Sequence, residues 1–229
     1  GILNGTATVS DNQLQLDGAL TGADAASMRF TNLVDLGGNF STDGFTIETW
    51  YTDTGTGVWG KLFTFGVDQA GAEVAWTHQR GGEELVPGLD RNGAQLTQSF
   101  PAGSDDRFAL NEEHHLVITV APDGTANVWV DGNQEVVDAP TNDPSNITTS
   151  TESIGSTAWN DPGHQGSVNE FRIYNGTLKA DAVATNFAAG PDALGGSGLQ
   201  IVSITHDRPN GKATITFNSI PGRTYRIDR

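Results

Sequence analysis

The sequence predicts an all-β fold, two antiparallel sheets packed face to face as a sandwich. Three observations carry that expectation. Turn-forming pairs recur along the chain, short runs between them alternate apolar and polar residues, and the composition is turn-rich, with 29 glycines and only 17% charged residues among 229.

The turns come first. Asn-Gly or Asp-Gly occurs at Asn4-Gly5, Asp17-Gly18, Asp43-Gly44, Asn92-Gly93, Asp123-Gly124, Asp131-Gly132, Asn175-Gly176 and Asn210-Gly211. Both residues of such pairs tolerate positive φ, as tight hairpin turns require. The strands follow from period-two patterning. Phe45, Ile47 and Tyr51 share one face of their run, with Glu48 and Trp50 on the other. Leu116, Ile118 and Val120 make one face of the next, and Asp123-Gly124 joins it to a run where Val128 and Val130 oppose Asn127, Trp129 and Asp131. Phe171 and Ile173 oppose Glu170, Arg172 and Tyr174. One apolar face per strand belongs to stacked antiparallel sheets. Only 178–187 has helical spacing, through Leu178, Ala182, Val183 and Phe187.

The organisation expected is a main domain over 1–192, a linker over 193–198 containing Gly195-Gly196-Ser197-Gly198, and the start of a second small β module over 199–229. In that last piece 199–206 and 212–218 form a hairpin around Asn210-Gly211, and a third run, 223–228, follows Pro221-Gly222. Thirty-one residues bury little core, so the module reads as truncated or docked. The chain begins at Gly1 and stops in mid-pattern at Arg229, which is expected of a fragment of a longer polypeptide.

Charge and cysteine content narrow the function. A formal net charge of −16 with 12 Lys and Arg argues against nucleic acid and against insertion into or adsorption on an anionic membrane. The acidity favours solubility and attracts divalent cations locally. With no cysteine there is no disulfide, thiol nucleophile or Cys-bound zinc. No run of 18 apolar residues marks a membrane-spanning helix.

Several segments in order resemble the laminin-G-like, concanavalin A-like jelly rolls of secreted bacterial multidomain proteins. They are Leu16-Asp17-Gly18, Phe45 to Trp50, His114 to Gly132, Ile154-Gly155-Ser156, Gly166 to Asn175 and Leu178 to Phe187, which together span roughly 10–190. Residues 215–226 are similar to a short β module that often follows such domains. The resemblance implies a jelly-roll sandwich, an extracellular or cell-surface location and further domains in the same polypeptide. The fold hosts lectins, adhesion modules, glucanases and lyases alike, so function rests on the site.

Catalysis has little support. Glucanases of this fold carry a Glu-x-Asp-x-x-Glu strand motif, and a retaining pair sits about 5–5.5 Å apart. The motif is missing, and Glu83-Glu84 runs into Leu85-Val86. Glu48 and Glu170 read as structural, Glu170 paired with Arg172 on one face. His78-Gln79-Arg80 is the one stretch that hints at a lyase base with a charge neutraliser.

Sugar binding has more. Exposed aromatic rings beside amides and carboxylates suit saccharides. Trp50 and Trp129 lie inside strand patterns and read as buried. Trp159 lies in the polar loop Ser156 to Gln165, where Asn160, Asp161, His164 and Gln165 surround it. It reads as a stacking platform or as a lid folded on the core. Trp59, and Trp76 with His78 and Arg80, are further candidates. The family resemblance implies a structural calcium, with Asn169 standing where Asp is common and Asp17 and Asp24 flanking the opposite loop. The alternative is that these aspartates make Asx turns. His114 and His115 are adjacent, hence on opposite faces, and do not chelate together. The reading is a non-catalytic binding or adhesion module with a polysaccharide or other glycan ligand. The alternatives are a glycan-cleaving hydrolase or lyase and a structural spacer.

Overall fold

The structure, a computed structural model, describes residues 1–30, 42–57, 59–66, 73–77, 88–90, 108–140, 144–146, 152–157, 159–192, 200–207 and 212–218. The chain divides into two compact units, 1–178 and 179–229. That division falls ahead of the helix, whereas the sequence reading sets the boundary at 192.

In the first unit the strands are β1 (Ile2–Asn4), β2 (Thr8–Ser10), β3 (Gln13–Asp17), β4 (Ser27–Arg29), β5 (Phe45–Asp53), β6 (Lys61–Gly66), β7 (Glu73–Thr77), β8 (Gly88–Asp90), β9 (Glu113–Val120), β10 (Thr125–Val130), β11 (Asn133–Pro140), β12 (Glu152–Ile154) and β13 (Gln165–Asn175). Among the described residues, one sheet runs β1-β4-β12-β6-β7-β8 and the other β11-β10-β9-β5-β13-β3-β2. Neighbouring strands pair antiparallel throughout both. This is the sandwich expected from the alternation.

The inward faces make one core. Phe45, Ile47, Leu116, Ile118, Val128 and Val130 from the large sheet join Phe63, Phe65, Val74 and Ile154 from the small one. Each such side chain, fully buried, contributes about 1.5–3 kcal/mol. The turns behave as their sequences require. Asp131 and Gly132 take φ of 49° and 78° in the two-residue connection from β10 to β11, the positive-φ pair of a tight hairpin.

β13 carries an irregularity that parity alone does not reveal. Val168 faces the core, as do Phe171 and Ile173, because the register with β5 shifts between Val168 and Glu170. Asn169 is the extra residue of that bulge.

The opposite face of the large sheet is also buried at its centre. Glu48, the middle of β5, is 0% exposed and accepts hydrogen bonds from His115 Nε2 (3.0 Å) and the Tyr174 hydroxyl (2.6 Å). Arg172 lies 3.5 Å from the same carboxylate, 3.5 Å from Glu170, and with its guanidinium 4.8 Å from the Trp50 ring centre. Trp50 stacks on His115 at 4.2 Å. Trp50 and Trp129 are buried, as the strand pattern implies, and the Glu170–Arg172 pair forms. Burial raises the Tyr174 hydroxyl's pKa far above its usual range, and the Glu48 carboxylate beside it adds to the effect.

His114 points the other way. Its Nδ1 meets Asp131 at 2.9 Å and its Nε2 the Ala109 carbonyl at 3.1 Å. The second unit, taken by itself, holds the helix α1 (Ala180–Ala189) and the hairpin of β14 (Gln200–Asp207) with β15 (Lys212–Asn218). α1 ends at Gly190, whose φ is 81°. The third expected run, 223–228, lies outside the described residues.

Two outcomes follow. Glu48→Ala removes the acceptor of the His115 and Tyr174 donors and one of the two carboxylates beside Arg172, and urea unfolding should show a loss of about 3–5 kcal/mol. For His114, burial alone depresses the pKa, but Asp131 and the Ala109 carbonyl outweigh it and raise it above 6.5. A raised histidine pKa stabilises the fold below the unfolded value near 6.5, and that contribution fades as pH rises through the folded value. Asp131→Asn should therefore lower the His114 midpoint in an NMR titration and remove its share of the stability difference between pH 6 and pH 8.

Candidate functional site

The end of β5 organises three loops. Asp53 Oδ1 accepts the backbone N–H groups of Gly55 (2.8 Å) and Thr56 (2.7 Å), which turns the chain out of the strand. The Thr56 hydroxyl then ties this loop to the one before β13. It accepts the Gln165 N–H at 2.9 Å and lies 3.2 Å from His164 Nδ1. His164 Nε2 meets the Thr52 carbonyl at 3.1 Å, and a carbonyl only accepts, so Nε2 carries a proton, while the Thr56 hydroxyl beside Nδ1 also approaches the Gln165 carbonyl at 3.4 Å.

The same two loops meet again at their tips. Lys61 N donates to the Pro162 carbonyl at 3.3 Å. A Cβ on Gly163 would come within 2.5 Å of the Gly155 carbonyl oxygen, so the close approach requires glycine. The Gly22–Asp24 turn joins them. Gly22 N donates to the Asp161 carbonyl at 2.9 Å, and the Thr21 hydroxyl to Asn160 Oδ1 at 2.9 Å. The result is a rim in which the loop carrying Trp59 is bonded to the loop carrying Trp159, Asn160 and Asp161, both tryptophans partly exposed.

Beneath the rim lies a cation. The Lys61 side chain is 1% exposed, and its ammonium donates to the Trp59 carbonyl at 3.2 Å and to Asp161 Oδ2 at 3.4 Å. It also lies 5.7 Å from the centre of the Trp59 ring. Trp59 itself has φ of 66°, a left-handed conformation that bulky residues rarely adopt. Such backbones cost on the order of 1–3 kcal/mol and persist where their surroundings hold them. Here the Gly60 N–H to Gly57 carbonyl bond (2.8 Å) and the lysine flank the strained residue.

The expected site residues divide. Trp159, Asn160 and Asp161 lie on one loop, and the segment carrying Trp59 is bonded to that loop at Lys61. Gln165 is exposed at the start of β13, opposite Asp17. His164 is 0% exposed and holds the loops together from inside, so it is a positioning residue and not a rim donor. Trp76 is 1% exposed on β7 in the core, where its ring packs against Phe108, and it offers no face to a ligand. His78 and Arg80 lie outside the described residues. Lys61 was not anticipated, because a lysine opening a strand reads as a solvated charge and nothing local signals its burial.

Of the three expected calcium ligands, Asn169 lies apart from Asp17. Asp17 makes an Asx turn, its Oδ1 accepting Ala19 N–H at 3.1 Å, while Oδ2 accepts the Thr6 hydroxyl. The Thr6 bond, and then the Ala19 bond, lower its pKa. Asp24 closes the short turn tied to Asp161. Asn169 lies four residues along β13 from the partner of Asp17, about 13 Å away at 3.3 Å per residue. There it donates to Glu113 Oε1 at 2.8 Å and borders an apolar cavity of about 400 Å³ with Val9, Leu14 and Phe171. Among the described residues no group of three or more His, Cys, Asp or Glu is placed to hold a metal.

Residues 22–184 match the family model of the concanavalin A-like lectin/glucanases superfamily. The chain belongs to that superfamily. No curated protein matches its sequence. Among solved structures, domain 4 of AbnA, an extracellular arabinanase of Geobacillus stearothermophilus in complex with arabinotriose, is similar over 80% of this chain and 80% of its own, at 16% identity and a TM-score of 0.56. Trypanosoma rangeli sialidase with a difluoro-KDN ligand is similar over 84% of this chain and 29% of its own, at 17% identity and a TM-score of 0.59. Botulinum neurotoxin type C, whose cell entry depends on two ganglioside molecules, is similar over 82% and 45%, at 12% identity and a TM-score of 0.56. The chain thus spans less than a third of the sialidase and under half of the toxin. At these identities the likeness is one of superfamily fold.

The strain at Trp59 gives a test in this superfamily member that does not need a ligand. Trp59→Ala keeps the unfavourable φ, whereas Trp59→Gly relieves it. The glycine variant should be the more stable of the two by about 1 kcal/mol in urea unfolding.

Proposed function

We propose that this domain is a non-catalytic carbohydrate-binding module of an extracellular protein, with the Trp59–Trp159 rim as its ligand surface. One observation carries the reading. Two loops distant in sequence, each carrying a partly exposed tryptophan, are bonded to one another, and the short polar side chains of Asn160 and Asp161 lie on the second of them. Sugar rings present C–H faces and hydroxyls together, and apolar platforms with a few fixed polar groups bind them. Loops fixed to one another in advance lose little freedom on binding. The arabinotriose-bound arabinanase domain and the ganglioside-dependent toxin agree with a glycan ligand.

The non-catalytic part rests on the carboxylates. Glu48 is fully buried and engaged by His115, Arg172 and Tyr174, and Glu170 pairs with Arg172. Neither is presented to a glycosidic bond as an acid–base pair requires.

A glycan array followed by calorimetric titration tests the reading. Trp159→Ala should weaken the best ligand at least tenfold and leave urea stability within about 1 kcal/mol of the parent. A stability loss of about 3 kcal/mol or more would make Trp159 a core residue and remove the platform.

A further inference from the structure

We infer, building on the carbohydrate reading, that the rim selects uncharged glycans and rejects carboxylated or sulfated ones. A lysine beside a loop tryptophan has the appearance of an anion clamp. The geometry argues the reverse. The Lys61 side chain is 1% exposed, and its ammonium is turned inward onto the Trp59 carbonyl and Asp161 Oδ2. The charge that reaches solvent is that of Asp161, whose side chain is 30% exposed.

The three loops that build the rim, 17–24, 54–60 and 156–165, contain no Lys or Arg. His164, their one imidazole, is 0% exposed and bonded between the loops, so it presents no group to the rim. Asp24 adds a further exposed carboxylate on the turn bonded to Asp161. The chain as a whole carries −16. A uronate, sialate or sulfate arriving at this rim meets like charge at contact range and a like-charged protein at long range. A neutral sugar meets a carboxylate that accepts its hydroxyls and rings that take its C–H faces.

Lys61 is on this reading a positioning residue. It holds the Asp161 carboxylate and the strained Trp59 backbone in one arrangement, and it does not touch the ligand.

The test uses the full chain and matched probes: galactan against polygalacturonate, and lactose-terminated against sialyllactose-terminated glycans, each titrated at 20 and 150 mM NaCl. The neutral member of a pair should bind at least tenfold tighter, with the gap narrowing at the higher salt. Asp161→Asn should narrow it further by improving the acidic member. Because Asp161 is also the partner of the buried Lys61, a urea unfolding curve accompanies that variant, and Asp24→Asn, on the exposed turn, should narrow the gap without touching the ion pair. Tighter binding of an acidic member, lost in Trp159→Ala, overturns this inference and leaves the carbohydrate reading standing. Equal binding of both members overturns it as well. Binding of neither member at any salt overturns both.

Discussion

A carboxylate with no exposed surface, set at the middle of the fourth strand of a seven-stranded sheet, has to be met by donors from its neighbours, and Glu48 is met from both sides. His115 reaches it from β9, and Arg172 and Tyr174 reach it from β13. These are the two strands that flank β5. The network therefore works as a register pin. A one-residue slip of either neighbour would send its donor to the other face and leave the charge buried alone. The inward face of β5 supplies Phe45, Ile47 and Tyr51 to the core in the same register. Apolar burial stabilises the sandwich, and the buried charge selects one alignment of it.

That alignment is transmitted to the rim through the far end of β5. Asp53 caps the turn at Gly55 and Thr56, and Thr56 passes the constraint to Gln165 and His164 on the loop that carries Trp159. His164 returns it to the Thr52 carbonyl on β5 itself. The polar groups involved close a ring of hydrogen bonds around a buried imidazole, which has an edge-on contact with Tyr51. The rim loops are thus extensions of a rigid strand, a favourable basis for a site that must be ordered before its ligand arrives.

How much of this was legible in the sequence depends on the length scale of the cause. Alternation is local, so the faces of β5, β9 and β10, the opposed directions of His114 and His115, and the Glu170–Arg172 pair were all readable. The bulge at Asn169 was not, because it depends on what β5 requires across the ladder. Trp76 and Trp159 show the same limit from the side of the site. Each is a tryptophan near a histidine and polar residues, yet one lies in the inter-sheet core and the other on a loop. Trp76 occupies a strand position facing Phe63, and that placement follows from the pairing of β6 with β7 rather than from its neighbours in the chain. His164 sits in a polar segment and is nonetheless buried, because three loops close over it.

Lys61 draws these strands of argument together. A lysine held at 1% exposure has lost most of its hydration, and that loss has to be offset by partners in the folded state. Here the partners are the carbonyl of a residue in a disfavoured backbone conformation, a half-buried carboxylate and the face of an indole. Each of them is a group the rim must present in a fixed way. Removing the charge would leave the Trp59 backbone free to relax toward negative φ and Asp161 free to turn to solvent. The arrangement is therefore one in which an unfavourable burial and an unfavourable torsion each persist because of the other, and both lie at the Trp59 ring. Strain of this kind gathers where a protein fixes side chains for a ligand more than where it only fills a core. That is the physical reason to look for the ligand at this rim.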